Sequence, residues 1–204
     1  MSADGGGLPE GKLDPQVLKH LLRATSHGDP NVLVGAEAGE DAAVVRGGKT
    51  LLLTADPITF TEENIGIYTV AVNCNDIVAM GGLPMYLTTT ILLPPGTTES
   101  RLRTVFQELR QASRAAGVLW VGGHTEVTSA VTRIVVSAQA VGFLRQPLTR
   151  TCDAVPGHLL VMSKWAALEA TTLLARDRPE QTLKLIGPKA FRSVLAWLRR
   201  PGIS

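Results

Sequence analysis

The sequence is short of cysteine and of aromatic side chains, and both shortages restrict its class. It holds only Cys74 and Cys152, far apart and in no metal-binding or redox spacing, and 4% of its 204 residues are aromatic. Two thiols without a disulfide framework are typical of a reducing compartment, so we expect a cytoplasmic protein. Cys74 lies among apolar residues, and we interpret it as a small core side chain.

The chain also lacks an excess of one charge and any long apolar run. Its 20 basic and 18 acidic residues give a net charge of +2, which is too balanced to predict a nucleic-acid surface. No apolar run approaches the roughly 20 residues of a membrane span. The first residues do not pair a basic segment with an apolar one, so they do not resemble a secretory signal. We therefore expect neither nucleic acid nor membrane as a partner.

What the chain does have is an apolar segment at 65–80 that carries polar residues within it. Its apolar side chains recur at helical spacing, and Gly81-Gly82 followed by Pro84 predicts where the helix ends. A buried carboxylate or amide without a partner is costly. Asn73, Asn75 and Asp76 must therefore face water, find buried partners or serve a site. A solvated Asp76 on an amphipathic helix is the simpler alternative.

Two further carboxylates flank a predicted β-hairpin. Residues 42–45 and 51–55 read as strands joined by a turn at 46–49, with Asp41 before the first strand and Asp56 after the second. If these strands pair, Asp41 and Asp56 lie near the same end of a sheet. Carboxylates held together repel unless a hard cation such as Mg²⁺ joins them. Alternatively, both are ordinary turn aspartates.

The rest of the first 148 residues predicts an alternation of strands and helices. A strand at 86–93 is followed by a helix capped by Thr97 or Thr98 and running to Ala116, and strands follow at 118–121 and 131–142. After the short strand comes Gly122-Gly123-His124-Thr125-Glu126, where the glycines admit another backbone or a phosphate. The pattern predicts an α+β fold, a ferredoxin-like mixed sheet with helices on one face.

The composition predicts three segments: an N-terminal arm and helix over 1–31, a main domain over 32–148, and a further region over 149–204. In the last region we predict a buried strand at 159–163 and helices at 165–176 and 189–199. One strand and two helices make a poor independent core. We therefore expect the beginning of an incomplete α/β domain.

Taken together, five short motifs resemble the superfamily of aminoimidazole ribonucleotide (AIR) synthetase, selenophosphate synthetase, thiamine-monophosphate kinase and the HypE-type hydrogenase maturation protein. This is the PurM-like superfamily, and the resemblance is greatest to the HypE-like, AIR synthase-related members. The order and spacing of the motifs carry it over roughly 150 residues. The motifs are Gly11-Lys12-Leu13, Gly39-Glu40-Asp41-Ala42-Ala43, Thr54-Ala55-Asp56-Pro57-Ile58-Thr59-Phe60, Asn75-Asp76-Ile77-Val78-Ala79-Met80-Gly81 and Gly122-Gly123-His124-Thr125-Glu126-Val127.

The resemblance implies an ATP- and Mg²⁺-dependent protein, whose relatives activate an amide or carbonyl oxygen by phosphorylating it. It implies metal ligands and nucleotide-binding residues, and Glu126 as a metal or substrate contact, but it names no catalytic residue. The implied metal ligands are Asp41, Asp56 and Asp76. The implied ATP-binding residues are Asn75, Gly122, Gly123, His124 and Thr125.

Two departures from the family pattern bear on this expectation. After Lys164, alanines stand where relatives have a glycine-containing loop, and alanine does not give the same close backbone approach. The chain also ends where relatives continue into most of a C-terminal domain, so we expect a C-terminally truncated member. The alternative function is a non-catalytic dimerisation or nucleotide-binding module.

The resemblance further implies a homodimer formed through the N-terminal sheet, and a metalloenzyme-maturation protein as partner. The sequence supports the dimer independently. The strands at 86–93 and 131–142 carry apolar residues on both faces, whereas a sheet with one solvated face alternates cleanly. Because helices cover only one face, we expect a second copy to cover the other.

Overall fold

The computed structural model describes residues 7–8, 11–22, 29–34, 44–45, 48, 50–149 and 154–203. The chain divides into two compact units, Met1–Thr149 and Arg150–Ser204. A separate N-terminal arm over residues 1–31 stays a prediction. None of the described helices combines the length and the apolar character that a membrane span requires.

The first unit is built on a five-stranded mixed sheet with the strand order β1-β6-β5-β7-β4. Strands β5 and β6 are parallel, and every other neighbouring pair is antiparallel. The long strand β5 therefore lies at the centre, and β4 forms one edge. The strands are β1 (Gly11–Lys12), β4 (Leu51–Ile58), β5 (Gly82–Leu93), β6 (Leu119–Val127) and β7 (Val135–Leu144).

A short helix and a small separate sheet complete the N-terminal part. Helix α1 (Pro15–Leu22) begins as predicted, because the Asp14 side chain accepts hydrogen bonds from the backbone N–H groups of Gln16 and Val17 at 2.8 and 3.3 Å. Strands β2 (Val32–Val34) and β3 (Val44–Val45) pair antiparallel with each other.

Two helices cover one face of the sheet, as the sequence predicts. Helix α2 (Ile65–Ala79) packs on β4, β7 and β5, and helix α3 (Glu99–Ala116) packs on α2 and β6. Thr98 caps α3, and Gly117, at φ 68°, ends it in the left-handed region. The core between the layers is fully buried and includes Ile65, Tyr68, Leu87, Ile91, Leu93, Leu102, Phe106, Leu109, Val136, Ala138 and Ala140.

Helices α2 and α3 do not pack on the other face of the sheet. On β4 it presents Leu51 and Leu53, which are 47% and 74% exposed. In its middle Thr88 Oγ1 donates a hydrogen bond of 2.9 Å to Gln139 Oε1, and the Tyr86 and Phe143 rings meet edge to face. We call this surface the open face.

The predicted hairpin between residues 42–45 and 51–55 is wrong. Strand β3 pairs with β2, whereas β4 pairs with β7 along all eight of its residues, Leu51 to Ile58. The longer register offers β4 many more hydrogen bonds than a two-residue strand does. Strand β4 also continues through Asp56 and Pro57 rather than ending there, which an edge strand tolerates.

A second correction concerns Gly122-Gly123-His124-Thr125-Glu126. The sequence predicts a strand that ends at residue 121 with this motif after it, but β6 runs on to Val127 and contains the whole motif. The parallel pairing with β5 explains the extension, since Thr88 to Leu93 face Gly122 to Val127 residue by residue.

The regular structure described in the second unit is helical. Helix α4 (Leu168–Asp177) and helix α5 (Pro179–Ala196), kinked at Gly187, are followed by a π-helical turn at Leu198–Gly202. The predicted strand at 159–163 is wrong: these residues form no strand, and Leu159, Leu160 and Val161 are almost fully exposed. No described strand of this unit lies beside them, and a strand needs a neighbour to satisfy its backbone.

Candidate functional site

Strand β4 and helix α2 bring two of the predicted metal ligands together. Along β4 alternate residues face α2, which places Thr54 and Asp56 toward the helix, and Asp76 comes from the last turns of α2. The two carboxyl groups are close enough for the protonated form of Asp56 to donate a hydrogen bond to Asp76. That bond raises the pKa of the Asp56 carboxyl, with smaller contributions from burial and from the charge of Asp76.

Two uncharged side chains connect the strand to the helix at this point. Thr54 Oγ1 donates a hydrogen bond to Asp76 Oδ2 at 2.8 Å. The Asn73 side chain accepts one from the Asp56 backbone N–H at 3.1 Å and donates one to the Asp56 carbonyl at 3.3 Å. We call Asp56 and Asp76 the carboxylate pair.

No described lysine or arginine forms an ion pair with either member of the carboxylate pair. Two carboxylates beside a hydroxyl form an oxygen-only donor set, which suits Mg²⁺ and would relieve the repulsion between like charges. Among the described residues no group of three or more acidic, histidine or cysteine side chains is arranged to hold a metal. Asp41, the third predicted ligand, lies outside the described residues.

The neighbouring polar and thiol groups of α2 differ in environment. Asn75 is exposed on the helix surface, although it directly precedes Asp76. Cys74 is 5% exposed, and burial raises the pKa of its thiol to about 11. Cys74 is therefore a protonated core side chain at neutral pH, as the sequence predicts, and is poorly suited to act as a nucleophile.

One of the two glycines of β6 meets a neighbouring backbone. Gly123 has φ 149°, a conformation that side chains rarely adopt, and a Cβ there would lie 1.7 Å from the Thr89 carbonyl oxygen. Of the two partners that the sequence allowed for these glycines, a backbone or a phosphate, the structure provides the backbone at Gly123. Gly122 has φ 151° and is buried.

The other three residues of the motif divide between the two faces of the sheet. His124 and Glu126 lie on the open face with Thr90 and Leu92 as cross-strand partners, and His124 Nε2 is 2.9 Å from Glu126 Oε2. The Thr125 side chain between them is buried on the opposite face.

The structure thus separates the predicted site residues into two groups. One row of cross-strand partners runs from Asp56 through Ala138 and Thr89 to Gly123. Three strand spacings separate its ends, which amounts to about 14 Å. Within one chain, the carboxylate pair and the β6 motif are therefore too far apart to bind the same metal ion.

Sequence reasoning did not assign Thr54 and Asn73 to the site. Asn73 carried a usable signal, because a buried amide in an apolar helix needs a partner. Thr54 lies two residues before Asp56, and β4 runs through both, which puts them on one face. Their contacts became visible only with the packing of α2 on β4.

Residues 39–144, just over half of the chain, match the family model described as AIR synthase related protein, N-terminal domain. This match covers β4, α2, β5, α3, β6 and β7, and so both groups of candidate residues.

Three curated relatives are informative. A putative hydrogenase expression/formation protein of Methanocaldococcus jannaschii is 26% identical over 80% of this chain and 50% of its own length. A selenide, water dikinase of Citrifermentans bemidjiense is 32% identical over 75% of this chain and 46% of its own length. A thiamine-monophosphate kinase of Pyrococcus horikoshii is 31% identical over 74% of this chain and 51% of its own. The chain therefore spans about half the length of these relatives.

Solved structures of the hydrogenase maturation protein HypE share the fold. HypE in complex with ATP aligns with a TM-score of 0.52 and 26% identity, over 62% of this chain and 38% of that one. HypE of E. coli aligns with a TM-score of 0.62 over 80% of this chain and 54% of that one, at 19% identity, which supports the fold alone. By sequence and by fold, the chain belongs to the AIR synthase related protein family, which it matches through the N-terminal domain.

Proposed function

We propose that the first unit binds ATP together with Mg²⁺, with Asp56 and Asp76 as cation ligands and Asp41 as a third. The observation that carries this proposal is the contact between the two carboxyl groups, which the Thr54 hydroxyl adjoins and no described basic side chain neutralises. Mg²⁺ is held in proteins by such oxygen donors, usually together with phosphate oxygens of the nucleotide.

For the nucleotide itself, we propose contacts from Asn75, Gly122, Gly123, His124 and Thr125, with Glu126 as a metal or substrate contact. The occurrence of HypE as an ATP complex among the structural relatives supports this assignment. Since His124 and Thr125 lie on opposite faces of β6, their contacts require different parts of the ligand or a second chain.

We propose the family's chemistry as the activity: ATP-driven phosphorylation of an amide or carbonyl oxygen, which turns that oxygen into a leaving group. In such transfers charge develops on the phosphoryl oxygens and has to be neutralised and aligned. Mg²⁺, when bound, supplies that neutralisation. The part of this chain is to hold the cation through the carboxylate pair.

The decisive experiment is a calorimetric titration of ATP into the protein with Mg²⁺ and with EDTA. We expect heat of binding only with Mg²⁺, and at least tenfold weaker binding for Asp76→Asn, because a carboxylate ligand is lost. Asp177→Asn, at an exposed position in the second unit, is the matched control and should bind as the wild type does. Equal ATP affinity with and without Mg²⁺ would contradict the proposal.

The alternative is a nucleotide-binding or dimerisation module without turnover. The two functions separate in one assay. A catalyst forms ADP from Mg²⁺-ATP faster than buffer does and loses that rate in Asp76→Asn, whereas a module binds Mg²⁺-ATP and leaves it intact.

We propose that two copies associate through their open faces. The exposed Leu51 and Leu53 supply apolar area on the face of the sheet that α2 and α3 leave uncovered. Light scattering on a sizing column should report a dimer, and Leu53→Glu should give a folded monomer because the charge would be buried at the interface. Leu160→Glu, at a leucine of the second unit that is even more exposed, is the control. A wild-type monomer at micromolar concentration would contradict this proposal.

We further propose a cytoplasmic location and a metalloenzyme-maturation protein as partner. The named relative in hydrogenase expression and formation supports the partner, and the two cysteines without disulfide spacing support the location. Purification of the full chain with its bound proteins from its own host, with and without ATP, tests the partner. Recovery of metalloenzyme precursors or their maturation proteins is the expected result.

A further inference from the structure

The side chain of Asn73 is the most completely enclosed polar group near the carboxylate pair. It is 0% exposed, and all of its hydrogen bonds go to backbone groups. Its Oδ1 accepts from the Asp56 N–H at 3.1 Å. Its Nδ2 donates to the Asp56 carbonyl at 3.3 Å and to the Thr69 carbonyl, one turn earlier in α2, at 2.9 Å. Together the three bonds fix the amide relative to both the strand and the helix.

These bonds occupy the free side of an edge strand. Strand β4 has β7 on one side, and on the other the Asp56 N–H and carbonyl point to the amide of Asn73. An amide that donates to and accepts from one residue reproduces what a neighbouring strand would do. The Asn73 side chain thus takes the place of one residue of a missing strand.

A second connection runs in the reverse direction. The strand residue Thr54 donates to the helix carboxylate of Asp76, while the helix residue Asn73 holds the backbone of the strand residue Asp56. Asn73 and Asp76 are three residues apart, and so are neighbours on the surface of α2. The two connections cross between the same two elements and leave little freedom for the carboxyl groups to separate.

We propose that Asn73 is a positioning residue that sets the spacing of Asp56 and Asp76 for a divalent cation. This inference rests on the proposed function and adds a residue that the sequence did not assign to the site. Cation ligands need to be held within about 0.5 Å of their productive geometry. Asn73 contacts the backbone of one ligand and shares a helix with the other, so it controls the separation without binding the cation.

The test compares two buried, nearly isosteric substitutions on the same helix. Asn73→Leu keeps the number and branching of the side-chain heavy atoms and removes the bonds to Asp56. The control Thr69→Val also removes one buried hydrogen bond, from Thr69 Oγ1 to the Ile65 carbonyl at 2.7 Å, but it leaves β4 untouched. Two readouts are needed: hydrogen exchange of the Asp56 amide, and the Mg²⁺ concentration for half-maximal ATP binding at fixed ATP.

We expect the Asp56 amide to exchange faster than in the wild type in Asn73→Leu, and at the wild-type rate in Thr69→Val. We also expect the half-maximal Mg²⁺ concentration to rise about tenfold or more in Asn73→Leu, as is typical when an outer support of a metal ligand is lost. Thr69→Val should stay within about twofold of the wild type. If Asn73→Leu does not fold, Thr54→Val breaks the other connection at a partly exposed position and should raise the Mg²⁺ requirement as well.

The contrary outcomes separate the two proposals. If the wild type needs Mg²⁺ for ATP and both Asn73→Leu and Thr54→Val keep its Mg²⁺ requirement, the positioning role is overturned and the proposed function stands. A rise of equal size in Thr69→Val also overturns the role, because it would reflect general loosening of α2. If wild-type ATP binding does not depend on Mg²⁺, the proposed function fails and the role of Asn73 fails with it.

Discussion

The two units of the chain contain similar apolar side chains but bury them to different extents. In the first unit Leu87, Ile91 and Leu93 of β5 are fully buried, with a strand on each side and helices on one face. In the second unit Leu159 and Leu160 are almost fully exposed, in a segment that has no regular structure. The difference lies in the neighbours that each segment finds, because the side chains are of the same kind.

This contrast indicates how far composition determines structure. Strand preference mostly reflects how a side chain fits a pleated, half-buried surface, so it has little effect where no such surface exists. Burial in the first unit follows from the sheet, and exposure in the second follows from the lack of a described strand there. Stability should therefore be concentrated in the first unit.

The largest expected effect is at a glycine. Gly123→Ala should destabilise the first unit by more than about 4 kcal/mol, since the new Cβ overlaps the Thr89 carbonyl at a backbone angle that alanine avoids. Gly157→Ala, at φ 99° in open space of the second unit, should cost only about 1–2 kcal/mol. Urea unfolding followed by circular dichroism measures both. Equal losses would show that backbone strain, rather than close packing, governs each site.

Truncating a leucine should distinguish the units next. Leu109→Ala removes a fully buried side chain between the layers of the first unit and should cost about 2–5 kcal/mol. Leu160→Ala removes an exposed one and should leave the free energy of unfolding within about 0.5 kcal/mol of the wild type. A large loss in Leu160→Ala would mean that this leucine is covered in solution, for example by another copy.

Hydrogen exchange gives a smaller but more general comparison. Amides of α4 should exchange faster than those of β7, because segments with less buried apolar area open at a lower free-energy cost. Mass spectrometry of peptides from residues 168–177 and 135–144 reports both at once. Equally slow exchange in the two peptides would contradict the concentration of stability in the first unit.

The smallest effect concerns the pH dependence of the second unit. Burial raises the pKa of the Glu169 carboxyl above its ordinary value of 4.5, so the folded state binds this proton more tightly than the unfolded state does. Its contribution to stability is complete below that value and is lost as the pH rises through the raised pKa. Wild type should therefore lose stability relative to Glu169→Gln as the pH rises from 4.5 toward neutrality.

Urea titrations of both proteins across that range measure this slope. Gln181→Ala, which removes no ionisable group at an exposed position of α5, is the control and should keep a constant difference from the wild type. A pH-independent difference for Glu169→Gln would show that the carboxyl is solvated in the folded state.

The sequence was sufficient for elements with strong local signals. Asp14 and Thr98 mark helix starts that the structure confirms, and Gly117 marks a confirmed end. Periodicity located α2 and α3, whose buried side chains pack on the sheet and on each other. The family resemblance is confirmed by the family match and by the HypE fold.

The remaining errors are errors of pairing. Nothing local distinguishes β3 from β7 as the neighbour of β4, and the choice depends on a contact between residues about 80 positions apart. The same limit applies to the site. No spacing in the sequence predicts that Asp56 lies beside Asp76. This contact depends on the point along β4 at which α2 packs. The roles of the site residues stay predictions.

The amide of Asn73 has one more consequence, for assembly. An uncovered edge strand is a template onto which other chains can add strand by strand, which leads to open-ended aggregates. At Asp56 the side chain of Asn73 occupies both backbone groups that an incoming strand would need. Growth of the sheet along this edge is thereby discouraged at Asp56, whereas the face-to-face association that we propose would stop at two copies.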